Sequence, residues 1–377
     1  MRYITSIILI ALVFIACNKK EVVIYNPNKS IKIDKSKNNL QEIIQNKNYS
    51  NTIENNKIGN NKIAIVYSSK KIGKYSIKIS DIVLAYSTNQ DNDFKYEFFD
   101  INDESEYSIS KIFDEIYDNN ITKVMFYLTN NSLHNIKNYN KLDKFDIYFP
   151  LINKNDTNII FNNNIIFGGI DYIKQIDKLK SIATSHIVEI YDNKYRNRKL
   201  HNILSTDNNV TSYILDGKYP NYKRFIENHS ILNDASIILN LSVVKSSIFL
   251  SQLRANDDLN VSQILTTQNN YTPLLFVLSQ KKDTENLIVA NSIKKINTKL
   301  YNINKFIGND INYDWVNYST ILGLEYLNTK NKVLFSNIEI IDNYVDYPVN
   351  LFITNNNSFI SYVKEQNDTI IQENQED

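Results

Sequence analysis

The stretch Lys62-Ile63-Ala64-Ile65-Val66-Tyr67-Ser68-Ser69 decides how this chain is read. Ile63 to Tyr67 is a short unbroken apolar run, the pattern of a strand covered on both faces in a parallel sheet. Downstream the period changes. Between Ile77 and Tyr86, the residues Ile79, Ile82, Val83 and Tyr86 share one helical face. Tyr96-Glu97-Phe98-Phe99 reads as the next strand, and Ser105 to Tyr117 as a helix with Ile109, Ile112, Phe113 and Ile116 as its stripe. Val124 to Leu128 is a third strand and Phe145 to Ile152 a fourth. Strand and helix in alternation argue for an α/β lobe built on a parallel sheet.

A second round follows. Helical spacing runs over 170–182, 196–204, 222–228 and 243–253, and strands over 187–191, 210–215, 237–239 and 261–266. The expected fold class is therefore α/β, with two Rossmann-like lobes: lobe I at 61–169 and lobe II at 170–290. Segments from 291 to 365 return to complete the lobes, with strand-like alternation at Lys332 to Ile341, Val349 to Ile353 and Phe359 to Tyr362. The tail 366–377 is polar and acidic, a composition that frays.

Working back from Lys62, residues 18–60 are polar with no sustained period and read as a tether that cannot bury enough apolar surface to fold. Before it stands Phe14-Ile15-Ala16-Cys17, preceded by Arg2 and an apolar run from Ile7. A basic start, a short apolar core and a small residue at the cut make an export signal at 1–17. A run this short does not span a bilayer, which takes about 20 residues. A cysteine directly after the small residue resembles the lipobox of bacterial lipoproteins, which implies acylation of Cys17 as the mature N-terminus. The other reading is an ordinary secretory signal with an incidental cysteine. Cys17 is the only cysteine of the 377 residues. Its acylation leaves no thiol for disulfides, thiol catalysis or metal ligation. The net charge of +1 argues against nucleic acid as a partner.

Several local features resemble the type I periplasmic-binding proteins, the two-lobed clamshell fold of branched-chain amino-acid receptors. They are the opening strand Lys62 to Tyr67 with its serines; Tyr191-Asp192-Asn193-Lys194-Tyr195-Arg196; Asp234 to Leu239 with Gln252-Leu253-Arg254; Ile264 to Gln268; and Tyr313-Asp314-Trp315 with Tyr318. Their order spans roughly 62–330. The last two features, with the lipobox, are similar to one branch: the lipoprotein activators of penicillin-binding proteins. The chain departs from the receptor pattern at Asp81, Arg196, Asn240 and Ser242, and only Gly73 stands near the first helix. These departures bear on amino-acid binding more than on fold.

In such a fold ligands lie at the carboxyl ends of the strands, between the lobes. That singles out Ser68, Ser69, Thr129, Asn130 and Asn131 in lobe I, and Tyr195, Asn240 and Ser242 in lobe II, as candidate ligand-binding residues. Hydroxyls and amides there hold a small polar ligand or, in the plainer reading, cap helices and turns. Tyr195 reads equally as a stacking or a hinge residue, and Trp315 as a helix-to-sheet packing residue. His134, His186, His201 and His229 have no metal-ligand spacing and default to surface positions; Asp100, Asp103 and Glu104 read as a solvated acidic loop. Neither a nucleophile elbow nor a phosphate loop occurs, and nothing calls for a cofactor. The expected protein is a non-enzymatic, lipid-anchored envelope protein, held at the outer membrane facing the periplasm. It binds an envelope partner such as a cell-wall synthase, or a small polar ligand. The alternative is a solute receptor of an ABC importer for amino acids or related metabolites.

Overall fold

The computed structural model describes residues 61–363, apart from 74, 91–93, 218, 219, 297, 331 and 332. Cys17, the signal segment, the tether and the tail lie outside the described residues.

Strand β1 (Lys62–Tyr67) has the burial its sequence demands. Ile63 and Ile65 enter one apolar cluster, Ala64 and Val66 another, because side chains alternate across a sheet. It pairs in parallel with β2 (Lys95–Asp100) on one side and β3 (Lys123–Tyr127) on the other. Then come β4 (Asp146–Phe149) and β5 (Ile165–Phe167), also parallel. The second sheet repeats the plan with β6 (Ile187–Tyr191), β7 (Val210–Ile214), β8 (Ser236–Asn240), β9 (Gln263–Thr267) and β10 (Leu287–Asn291). The spatial orders, 5-4-3-1-2 and 10-9-8-6-7, are the same doubly wound order twice.

The chain passes between the sheets three times. After β5 the helix Tyr172–Ile182 packs on β9 and β10. After β10 the helices Lys299–Phe306 and Trp315–Thr329 return to pack on the helix Tyr75–Asn89, the second also on β3 and β4. The hairpin of β11 (Glu339–Ile341) and β12 (Tyr344–Asp346) then joins the β5 edge. Finally β13 (Asn350–Asn355) and β14 (Ser358–Ser361) extend the second sheet antiparallel beyond β10. Each lobe is thus a seven-stranded mixed sheet finished by the end of the chain.

Some expected elements are shorter or differ in kind. Only 146–149 of the expected strand 145–152 pairs; Pro150 lacks the N–H a ladder needs. Lys332 to Ile341 is not one strand: Val333–Phe335 is a 3-10 turn, and pairing is confined to Glu339–Ile341. The physical reason is spacing, since Phe335 and Ile338 are both buried three residues apart, not two.

The core ties the lobes together. One apolar cluster holds Ile63, Ile65 and Met125 of the first sheet and Ile238, Leu265 and Ile288 of the second. Ile293, Ile296 and Ile311, from the segment linking them, belong to the same cluster. The helix Trp315–Thr329 is buried along most of its length, and most of its polar side chains find partners. Its Ser319 hydroxyl lies 2.8 Å from the Gly168 carbonyl and 3.1 Å from the Tyr148 hydroxyl. Gly323 is required: a Cβ there would stand 2.4 Å from a Tyr148 ring carbon.

Candidate functional site

The helix Tyr195–Leu204 builds one wall of the site, and the loop before it explains its placement. Asp192 is fully buried at the end of β6. It accepts from the Asn197 amide at 2.7 Å and the Lys194 N–H at 3.2 Å, and pairs with Lys245 at 2.8 Å. Burial alone would raise its pKa, but Lys245, Asn197 and the Lys194 N–H outweigh that and hold it below the usual carboxylate range. With Asn197 turned inward to this anchor, Tyr195, Arg198, Lys199 and Asn202 share the face at helical spacing. They line a cavity of about 420 Å³ with Asn130 and Asp156 of lobe I. Lys199 Nζ lies 2.5 Å from Asp156 Oδ2 and ties the lobes at this point. A second cavity of about 450 Å³ shares Asp156, Lys199 and Asn202 and continues to Ile203 and to Ile173 and Ile176 of the helix Tyr172–Ile182.

Beside these cavities, the run Thr267-Gln268-Asn269-Asn270-Tyr271 leaves β9 toward the first lobe's return segments. Gln175 donates to Gln268 Oε1 at 2.6 Å and to Ser292 at 2.9 Å. Asn269 Oδ1 accepts from the Tyr172 hydroxyl at 3.2 Å and from Arg196 at 3.3 Å. Thr267 Oγ1, Gln268 Nε2, Asn269 Nδ2, Asn270 Oδ1 and the Tyr271 hydroxyl are buried without a hydrogen-bond partner among the described residues. On the lobe I side the Tyr75 hydroxyl lies 3.1 Å from both Asp314 Oδ1 and Asn317 Oδ1. Burial and then Asp314 push the Tyr75 hydroxyl up, while Arg196 of lobe II pulls the other way. The guanidinium is therefore felt across the boundary.

The expected site residues fall into two groups. Asn130 and Tyr195, the latter 80% exposed, meet in the same cavity. The others hold local structure. Ser68 is fully buried and its hydroxyl has no hydrogen-bond partner among the described residues; the Ser69 N–H donates to Asp100 at 2.9 Å. Thr129 is held by Glu104, which accepts its N–H at 2.8 Å and its hydroxyl. Asn240 is buried and donates to Glu189 at 2.7 Å. Ser242 stands at the N-cap of the helix Val243–Arg254 without a side-chain cap bond. Arg198, Lys199, Asp156, Asn202 and the 267–271 run escape the sequence reading. The signal for the run is five consecutive side chains with polar or aromatic-hydroxyl groups directly after an apolar strand.

Two further expectations hold only in part. In the acidic loop Asp100 and Asp103 are exposed as expected, but Glu104 is buried against Thr129; Asp103 accepts from Ser105 and Ser108, and these bonds hold its pKa down at about 2. Surface position holds for His134 and His186, which are exposed, and fails for His201 and His229, which are half-buried. His186 bonds the Ile231 carbonyl at 2.7 Å, and His229 bonds the Phe225 carbonyl at 2.7 Å. His201 stacks on Tyr191 with ring centroids 3.9 Å apart and bonds Glu189 at 2.7 Å. Glu189 itself is fully buried and also accepts from Ser212 and Asn240, both at 2.7 Å. A carboxylate in the middle of an apolar strand is costly without such partners, so Ile187-Val188-Glu189-Ile190-Tyr191 announces them. Among the described residues no three His, Cys, Asp or Glu side chains are grouped to hold a metal ion, and no helix is long and apolar enough to cross a membrane.

No family model matches the sequence, and no curated protein matches it. Solved structures do. LpoA from Haemophilus influenzae matches with a TM-score of 0.56 at 9% identity over 81% of this chain; this chain spans 59% of that one. The LpoA C-domain from the same organism, described as a regulator of PBP1A, matches at 0.55 and 10% identity, covering 80% of this chain and 100% of that domain. A putative branched-chain amino-acid ABC transporter protein from Rhodospirillum rubrum matches at 0.54 and 10% identity, over 79% of this chain and 98% of its own. Identity this low carries the fold alone. The chain has the two-lobed α/β fold of the type I periplasmic-binding proteins, and its structural neighbours include LpoA.

Proposed function

We propose that this chain is a non-enzymatic, lipid-anchored protein of the cell envelope that recognises a partner protein along the boundary between its lobes. The observation that carries this reading is the tie between the lobes. Lys199 and Asp156 pair across the boundary, and one apolar cluster runs from sheet to sheet. A body joined in this way suits a fixed docking platform. The likeness to the LpoA C-domain supports a regulatory role on cell-wall synthesis. The lipobox-like Cys17 and the polar stretch 18–60 support attachment to the outer membrane, with the folded part held off it in the periplasm.

The test is affinity capture with the full-length lipoprotein from detergent-solubilised envelopes. A penicillin-binding synthase recovered in stoichiometric amount supports the reading. Its absence, together with a thermal rise given by a small solute, refutes it.

The second reading, a solute receptor, is favoured by the unpartnered buried atoms of 267–271. Buried polar groups need partners, and a polar ligand between the lobes supplies them. Hinge closure around an amino acid or related metabolite would then feed an importer.

A further inference from the structure

The two cavities beside Lys199 form one groove along the lobe boundary, since both are lined by Asp156, Lys199 and Asn202. One wall is one side of the helix Tyr195–Leu204: Tyr195, Lys199 and Asn202 recur at three- and four-residue spacing, with Arg198 and Ile203 flanking them to either side. The groove is polarised. At one end stand Tyr195, 80% exposed, and Arg198, an exposed cation with Lys194 and Arg196 close by in sequence. The Lys199 charge is matched by Asp156 and the Lys180 charge by Asp207, so these do not add to the excess. At the other end the lining turns apolar, with Ile173 40% exposed above Ile176 and Ile203. Asp177 stands at the far rim, exposed.

We propose that this groove docks an extended segment of a partner protein in which an acidic side chain lies within about four residues of a large aliphatic or aromatic one. The proposal rests on the partner-binding reading and specifies the partner's chemistry. Charge complementarity places the acid on Arg198, and apolar burial places the hydrophobic residue on Ile173 and Ile203. The full face from Tyr195 to Ile203 is about 12 Å long and takes about four residues of the segment. Tyr195 is then free to stack on its backbone or a ring.

A display library of random octapeptides, panned on the full-length mature protein, tests this. We expect enriched peptides with Asp or Glu within about four residues of Leu, Ile or Phe. A synthetic copy of the lead peptide should lose at least tenfold in affinity on Arg198→Glu and on Ile173→Asp. Both positions are partly or fully exposed, so the fold is retained, which circular dichroism checks. Changing the peptide's acid to Arg should restore binding to Arg198→Glu. No enrichment, a basic consensus, or affinity indifferent to both variants overturns the proposal. If Arg198→Glu still captures the envelope partner at full yield, the groove is wrong while the partner reading stands. If no form of the protein captures one, the partner reading itself falls.

Discussion

Lys199 and Asp156 face each other across the lobe boundary with 2.5 Å between Nζ and Oδ2. The lysine belongs to the helix that follows β6, and the aspartate to the short loop between β4 and β5. The same two residues sit where the polar and apolar parts of the boundary groove meet. Their pairing therefore links the closure of the lobes to the surface on which a partner would rest.

Lys199→Ala should change global stability little, by about 0.5 kcal/mol, because partly exposed pairs are worth little. It should instead loosen the boundary. Hydrogen exchange is expected to rise in 154–156 and in the helix Tyr195–Leu204, with the sheets unaffected. Unchanged exchange in both segments would show that the apolar cluster alone holds the lobes.

Gly323→Ala tests the close approach of the helix Trp315–Thr329 to β4. The added methyl meets the buried Tyr148 ring at 2.4 Å and a Met125 methyl at 2.8 Å. Overpacking of this kind costs about 1–3 kcal/mol. Urea denaturation should show the loss, and Tyr148→Phe should not relieve it, since the clash is with ring carbons.

Glu189→Ala leaves the donors of His201, Ser212 and Asn240 facing a cavity in lobe II. The expected cost is about 3 kcal/mol, in the range for breaking a buried charged network. Glu189→Gln keeps the shape and one acceptor and should lose less. A surface carboxylate such as Glu227, whose lysine partner is at 3.8 Å, should tolerate Ala within about 0.5 kcal/mol.

Asp192 gives the pH dependence. Its folded pKa is depressed, net of burial, by Lys245, Asn197 and the Lys194 N–H. The stability it contributes is present above the unfolded value of about 3.9 and is lost as pH falls through the lower folded value. Thermal unfolding from pH 6 downward should therefore steepen below about pH 4. In Asp192→Asn that component of the acid loss should be absent, over a lower starting stability.

The framework is legible because parallel strands are buried on both faces: Ile63 to Val66, Val124 to Leu128 and Ile237 to Leu239 are apolar throughout. Leu287 to Ala290 carries the same apolar signal, yet the sequence reading assigns no strand there; the structure adds it as β10. Three-residue strands are not legible, since Ile165–Phe167 and Tyr344–Asp346 owe their pairing to neighbours and to no local period. The groove is illegible for a different reason. Asn130, Asp156, Arg198 and Ile173 come from separate elements, and no spacing in the chain announces that they meet. Asn130 and Tyr195 are visible in advance only because the fold places strand ends at a cleft. Asn240 lies at such an end too, yet its side chain serves Glu189.

A photo-crosslinking residue in place of Tyr195, in the full chain expressed in its own cells, measures the central proposal most directly. Tyr195 is 80% exposed at the groove, and Ile160, 84% exposed on lobe I, is the control position. We expect one dominant protein adduct at 195, identified by mass spectrometry as an envelope synthase, and none at 160. The absence of any protein adduct at 195, or the same adducts at both positions, would contradict a partner-docking function for the lobe boundary.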